Sequence, residues 1–286
     1  MSELLVVKLG GTTVAEQPQV CTAIAELARR RPVVVVHGGG ARVTDWLKRL
    51  GVATRFDEGL RITDAAALEV AEAVLAGVVN SELVAGLRRL GCDAIGLSGI
   101  DGGLLVAERL PAKGLVASVV DVRRGLLDAL LVGGQVPVIA PLALDEAGVT
   151  CNVNADDVAA GIARGVGARQ LVLLTDVDGI RDADGRRLVT IASDEAEHLI
   201  GAGTISGGMV PKVRAALRAV ATNPGSEAII ADGRAPDALM RALDDPTFGT
   251  RIAGPASSAA IPARHPGAAP GGGVGGHRRA GWAEAR

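Results

Sequence analysis

Only four lysines stand against 26 arginines in this 286-residue chain, and two of them sit close to glycine pairs. Lys8 precedes Gly10-Gly11 and Lys212 follows Gly207-Gly208. A lysine ammonium is a compact point charge that suits a phosphate oxygen, whereas arginine offers a planar fork. Glycine lets backbone N–H groups approach an anion closely, and a helix starting there adds its partial positive charge. A third run, Gly38-Gly39-Gly40, follows His37, which reads as structural. Any one pair is explained by a tight strand-to-helix turn; three of them invite a phosphate-handling reading. Asparagine is as scarce as lysine, and two of the four, Asn152 and Asn154, fall in the run Asn152-Val153-Asn154-Ala155-Asp156.

The elements that would carry these residues follow one rhythm. Leu4–Val7 reads as a buried strand ending in the Lys8–Gly11 turn, and a helix follows from about Glu16 to Arg30. Val33–Val36 repeats the pattern, with Ala41–Leu50 as its helix. Thr54–Thr63 suits a hairpin or flap, and residues 65–90 suit two helices meeting near Gly77. Ala94–Leu97, Val136–Ala140, Leu171–Leu174 and Ala228–Ala231 are further short apolar strands, with an antiparallel excursion over 104–121. Ser193-Asp194-Glu195 starts a helix with a capping serine. Strand, glycine turn and helix in alternation predict an α/β fold: an open, mainly parallel central sheet with helices on both faces.

Composition removes several function classes. A net charge of −2 argues against a nucleic-acid or anionic-membrane binder, and four aromatic residues give no platform for stacking bases. The three cysteines are widely spaced and form no metal or disulfide pattern. No basic leader or long apolar segment opens the chain, so a cytoplasmic protein is expected. Neither G-x-x-x-x-G-K-[ST] nor a strand-following G-x-G-x-x-G is present, against a Walker-type hydrolase or a dinucleotide oxidoreductase. From Gly254 the chain is rich in Gly, Pro and Ala without apolar period, and residues 254–286 read as a disordered tail.

Six motifs occur in order: Lys8-Leu9-Gly10-Gly11, His37-Gly38-Gly39-Gly40, Gly59-Leu60-Arg61-Ile62-Thr63-Asp64, Asn152–Asp156, Leu174-Thr175-Asp176-Val177-Asp178-Gly179 and Gly207-Gly208-Met209-Val210-Pro211-Lys212. Together they resemble the amino acid kinase family, most closely its acetylglutamate-phosphorylating branch, from about residue 4 to Ile252. The resemblance implies transfer of the ATP γ-phosphoryl group to the side-chain carboxylate of N-acetyl-L-glutamate in arginine biosynthesis. Lys8 and Lys212 match the family's transition-state lysines, and Asp156 the aspartate that orients them. Gly10, Gly11, Gly39 and Gly40 would supply N–H donors to the phosphates and the acceptor carboxylate. Arg61 matches the residue that grips the substrate's α-carboxylate, and Asn152 and Asn154 the substrate-binding asparagines. ATP would be held by Asp176, Val177, Asp178, Gly179, Ile180 and Arg181 with Thr204, Ile205 and Ser206, and Mg²⁺ mainly by the phosphates rather than by a protein site.

The implied organisation is an amino-acid-binding and dimerising lobe over 1–165 and an ATP lobe over 166–253. Ser98-Gly99-Ile100-Asp101 instead resembles relatives that phosphorylate aminoadipate on a small acidic carrier protein, an alternative against which Arg61 and the Asn152–Asp156 run weigh. A non-catalytic amino-acid or nucleotide sensor is a remoter alternative, since Lys8, Asp156 and Lys212 are all present. Hexameric, arginine-inhibited relatives carry a helix before the first strand; with that strand starting at about Leu4, a homodimer is expected. Scarce aromatics place adenine between aliphatic side chains.

Overall fold

The computed structural model describes residues 3–10, 18–57 and 59–254. Residues 11–17, Gly11 among them, and the tail beyond Gly254 lie outside the described residues, and with them the expectations placed there.

Short β-branched runs form the centre. β1 (Leu5–Leu9) lies between β2 (Val33–His37) and β11 (Gln170–Thr175), parallel to both, and all three are buried along nearly their whole length. Strands covered on both faces read as continuous apolar runs, as these do. β8 (Val136–Ala140) and β5 (Ala94–Ser98) extend the sheet beyond β2, and β13 (Glu227–Asp232), β14 (Thr250–Ala253) and β12 (Thr190–Ile191) extend it beyond β11. The order is β12-β14-β13-β11-β1-β2-β8-β5, parallel except where β14 meets β13. The mainly parallel α/β sheet expected from the sequence is the observed one.

Alternation along β1 decides which layer each residue faces. Leu5, Val7 and Leu9 pack with α1 (Pro18–Ala28), α4 (Asn80–Arg89) and α9 (Ala238–Asp244) on one face. Leu4 and Val6 pack with α6 (Ala155–Val166) and α8 (Met209–Val220) on the other. Lys8 shares the parity of Val6, so it emerges at the end of β1 on the α6/α8 side. Elsewhere, α2 (Gly40–Arg49) follows β2, α5 (Gly125–Val132) precedes β8, and α7 (Ser193–Gly201) precedes α8.

Three elements differ from expectation. Residues 65–89 form one continuous helix, not two: α3 (Ala65–Glu72) passes through a π-helical segment, Ala73–Val79, into α4. This run is long and apolar enough to cross a membrane, but it packs on the core: Val70, Val74, Leu75, Val79, Leu83 and Leu87 are buried. The excursion at 104–121 is antiparallel as expected, β6 (Leu105–Arg109) with β7 (Val116–Val122). It also closes into a four-stranded barrel with β9 (Leu142–Leu144) and β10 (Thr150–Val153). Ser193 does not cap α7; Ala192 holds that position, with no side-chain cap. The flap is a hairpin of β3 (Arg55–Asp57) and β4 (Leu60–Ile62), tied down by an ion pair between Asp57 and the buried Lys113.

Candidate active site

Asp156 sits in the first turn of α6, 4% exposed, where the helix dipole favours an acid. Its Oδ1 is 2.7 Å from Lys8 Nζ and its Oδ2 accepts a hydrogen bond of 3.0 Å from Lys212 Nζ. Asn154 makes this geometry possible by capping α6: its Oδ1 accepts from the N–H groups of Asp156 (2.8 Å) and Asp157 (3.3 Å). Asp157 accepts the Val119 N–H at 3.0 Å and pairs with Arg218, joining α6 to the barrel and to α8.

The electrostatics follow from burial. Burial penalises the Asp156 carboxylate, but the charges of Lys8 and Lys212 outweigh it and hold the group below the usual carboxylate range. Burial lowers the Lys8 ammonium; the attraction of Asp156 opposes this and the repulsion of Lys212 adds to it, leaving the group below the ordinary lysine value. Two cations on one anion leave net positive charge at the end of β1, a receptive place for a further anion.

On one side of the triad is a cavity of about 220 Å³, lined by Lys8, Gly38, Gly39, Gly40, Arg61, Asn152, Asn154, Asp156 and Lys212, with Val43, Leu75 and Val116 as apolar wall. Phe56, Gly59 and Leu60 of the hairpin line it as well. Arg61 is 7% exposed. Its guanidinium donates to Gly40 O (3.0 Å), to Thr44 Oγ1 (2.7 Å) and to Thr54 Oγ1, and stands 4.6 Å from the Phe56 ring centroid. Among the described residues it has no carboxylate partner. A buried cation held only by neutral groups and a ring is prepared for a ligand anion. Asn152 Nδ2 donates weakly to Thr63 Oγ1, at 3.4 Å.

A second cavity, about 560 Å³, is lined by Asp176, Val177, Asp178, Gly179, Arg181, Thr204, Ile205 and Ser206, joined by Met209, Asp232 and Arg234. Ile180, also expected to hold ATP, is fully buried in the core and does not line this cavity. The apolar walls are Val177, Ile205 and Met209, and among the described residues no aromatic ring lines this space. A larger groove of about 1080 Å³ runs beside α8 and shares Leu60 and Asn154 with the first cavity, but none of the three triad residues lines it.

Two further expectations are revised by geometry. The Gly10 N–H donates to Leu174 O at 2.9 Å, so it is not available to a phosphate. What Gly10 supplies is space: a Cβ there would lie 2.5 Å from Lys8 Nζ. Asn154 lines the first cavity, but its amide oxygen is already engaged as the helix cap. Gly39 is held at φ +154°, where a Cβ would lie 2.7 Å from Leu75 Cδ2. Sequence reasoning passed over Phe56, Thr44 and Thr54 around Arg61, and Met209, Asp232 and Arg234 in the second cavity. Phe56, one of only four aromatic residues and placed in the flap, carried a usable signal.

An αβα sandwich holding two ammonium groups beside an amino-acid-sized cavity and a nucleotide-sized one has the layout of a phosphoryl-transfer enzyme. The sequence matches the amino acid kinase family over residues 3–232. It is 46% identical over 253 residues to an acetylglutamate kinase of Rubrobacter xylanophilus, covering 87% of this chain and 96% of that one. It is 42% identical to an acetylglutamate kinase of a Synechococcus strain, over 87% and 88% of the two chains. In fold it is similar to a carbamate kinase from Giardia lamblia bound to AMP-PNP, with TM-score 0.64, 18% identity and coverage of 88% and 99%. The chain belongs to the amino acid kinase family.

Proposed function

We propose that this kinase transfers the γ-phosphoryl group of ATP to the side-chain carboxylate of N-acetyl-L-glutamate, giving N-acetyl-L-glutamyl 5-phosphate for arginine biosynthesis. The observation that carries this reading is the Lys8–Asp156–Lys212 triad beside a small cavity whose lining also holds Arg61, a buried cation without a carboxylate partner among the described residues. One substrate carboxylate would meet Arg61 and the other would point at the lysines.

A carboxylate nucleophile is ionised at neutral pH, so no general base is required. The barrier is the approach of two anions and the charge spread over the transferring phosphoryl, which favours positioning and fixed positive charge. Lys8 and Lys212 supply that charge, and Asp156 keeps both ammonium groups in place. Gly39 and Gly40, at the head of α2, offer the first-turn N–H groups that lack intrahelical partners. Among the described residues no cluster of three acidic, His or Cys side chains is placed to hold a metal, and Asp156 is engaged by both lysines. Mg²⁺ would be held chiefly by the nucleotide phosphates, whose charge it would offset.

In this reading residues 1–165 bind the amino acid and form the homodimer, and 166–253 hold ATP, in a cytoplasmic enzyme. The Ser98–Asp101 run is occupied locally: Asp101 Oδ2 accepts from Ser98 N (2.6 Å) and Ser98 Oγ (2.8 Å). Arg42, on helix α2, pairs with Glu82 at 3.0 Å.

Arg61→Lys should raise KM for acetylglutamate by about 10- to 100-fold, the scale of a lost charge-assisted pair, with KM for ATP little changed. Steady-state kinetics in both substrates checks this. ADP release measured with acetylglutamate, free glutamate, aspartate and carrier-linked aminoadipate tests the acceptor. The expected result is clear preference for acetylglutamate; equal or better turnover of the carrier-linked acceptor would overturn it.

A further inference from the structure

Asn80 is 5% exposed, in the interior of a long helix, where a short polar side chain is unfavourable unless fully bonded. Its Nδ2 lies 3.1 Å from His37 Nε2, 2.9 Å from Val138 O and 3.3 Å from Leu97 O. An amide NH₂ only donates, so His37 Nε2 accepts and carries no proton. The ring proton then sits on Nδ1 and donates to Gly38 O at 2.7 Å. The Gly38 N–H in turn donates to Leu9 O at 2.8 Å. Gly38 is thus held at both its N–H and its C=O, at the start of the turn that supplies Gly39 and Gly40 to the amino-acid cavity.

Two other features serve the same contact. The π-helical segment Ala73–Val79 ends immediately before Asn80 and, as a π-bulge does, shifts the register at which that side chain emerges. Residue 96, in the middle of β5, is a glycine whose Cβ would lie 2.0 Å from Asn80 Oδ1. The same π segment presents Leu75 and Val79 to Gly39. His37 has no solvent exposure, and burial lowers its pKa to about 4, so the neutral ring persists at any ordinary pH.

We infer that Asn80 and His37 are positioning residues: Asn80 sets the Nδ1–H tautomer of His37, and His37 locks the Gly38–Gly40 turn in the conformation that receives the acceptor carboxylate and the transferring phosphoryl group. This rests on the phosphoryl-transfer reading above.

The test has two arms. In ¹⁵N-histidine-labelled wild-type protein, His37 is one of four histidines and is assigned by its loss in His37→Gln. It should show an unprotonated Nε2 and a protonated Nδ1 from pH 8 down to pH 5. In the kinetic arm, Asn80→Leu should lose about tenfold or more in kcat/KM for acetylglutamate, below the roughly 10²-fold that a 1 Å misplacement can cost. KM for ATP should stay within about twofold, a split that general destabilisation would not produce. An Nε2–H tautomer or an imidazolium at pH 7 would overturn the inference even if the variant fails to fold, as would unchanged kcat/KM in a folded Asn80→Leu. Failure of the substrate reading would show separately, as a wild-type enzyme inert toward acetylglutamate.

Discussion

Asp156→Asn should lower kcat by about 10²- to 10³-fold, the scale for removing one preorganised electrostatic element. The change is isosteric and keeps a group at the head of α6, but it removes the carboxylate that meets Lys8 and Lys212 at 2.7 and 3.0 Å, leaving Lys8 only the weaker attraction of Asp176 among the described residues. A buried ammonium group, Lys8, and a partly buried one, Lys212, would then face each other, and the natural relief is for one to lose its proton. Asp156 raises the Lys8 pKa in the intact protein, so its loss lowers that pKa further. The alkaline limb of the kcat profile should therefore move to lower pH in the variant. A pH–rate series on both proteins reads the two effects together. A variant with reduced kcat but an unmoved alkaline limb would mean that Asp156 acts only as part of the scaffold.

Lys8→Arg should be nearly as damaging, cutting turnover by roughly 10²-fold or more despite keeping the charge. Lys8 is 5% exposed and its Nζ fills the space that a side chain on residue 10 would need. A guanidinium is longer and planar, and it cannot occupy this space and reach Asp156 without shifting Gly10 or α6. The wild-type enzyme has a related pH signature. Burial lowers the Lys8 pKa, so activity that needs the ammonium should decline below the ordinary lysine range as pH rises. Near-normal turnover of Lys8→Arg would contradict the role given to a compact charge.

Much of the scaffold was legible because it is built from local signals. Buried β-branched runs such as Val33–Val36, each followed by glycine and an amphipathic stretch, announce parallel strands with crossover helices. The scarcity of lysine drew attention to Lys8 and Lys212, and the motif order brought in Asp156. What escaped was long-range or depended on who bonds to whom. The barrel closes through the β6–β9 contact, a single pairing of Val106 with Leu144 that no local pattern encodes. The π segment interrupts residues 65–89 without breaking the helix, and Gly77 within it looks like a boundary in the sequence alone. Gly10 and Asn154 are residue types that fit a ligand site, yet the Gly10 N–H meets Leu174 O and the Asn154 oxygen caps α6. Hydrogen-bond assignment of that kind requires the tertiary structure.

The central claim is that the acceptor is a carboxylate, and an acyl phosphate reveals itself by reacting with hydroxylamine. Incubation with ATP, Mg²⁺, N-acetyl-L-glutamate and hydroxylamine should yield the acetylglutamyl hydroxamate in step with ADP, and none when the amino acid is omitted. ADP formed in the presence of acetylglutamate without hydroxamate would contradict the account.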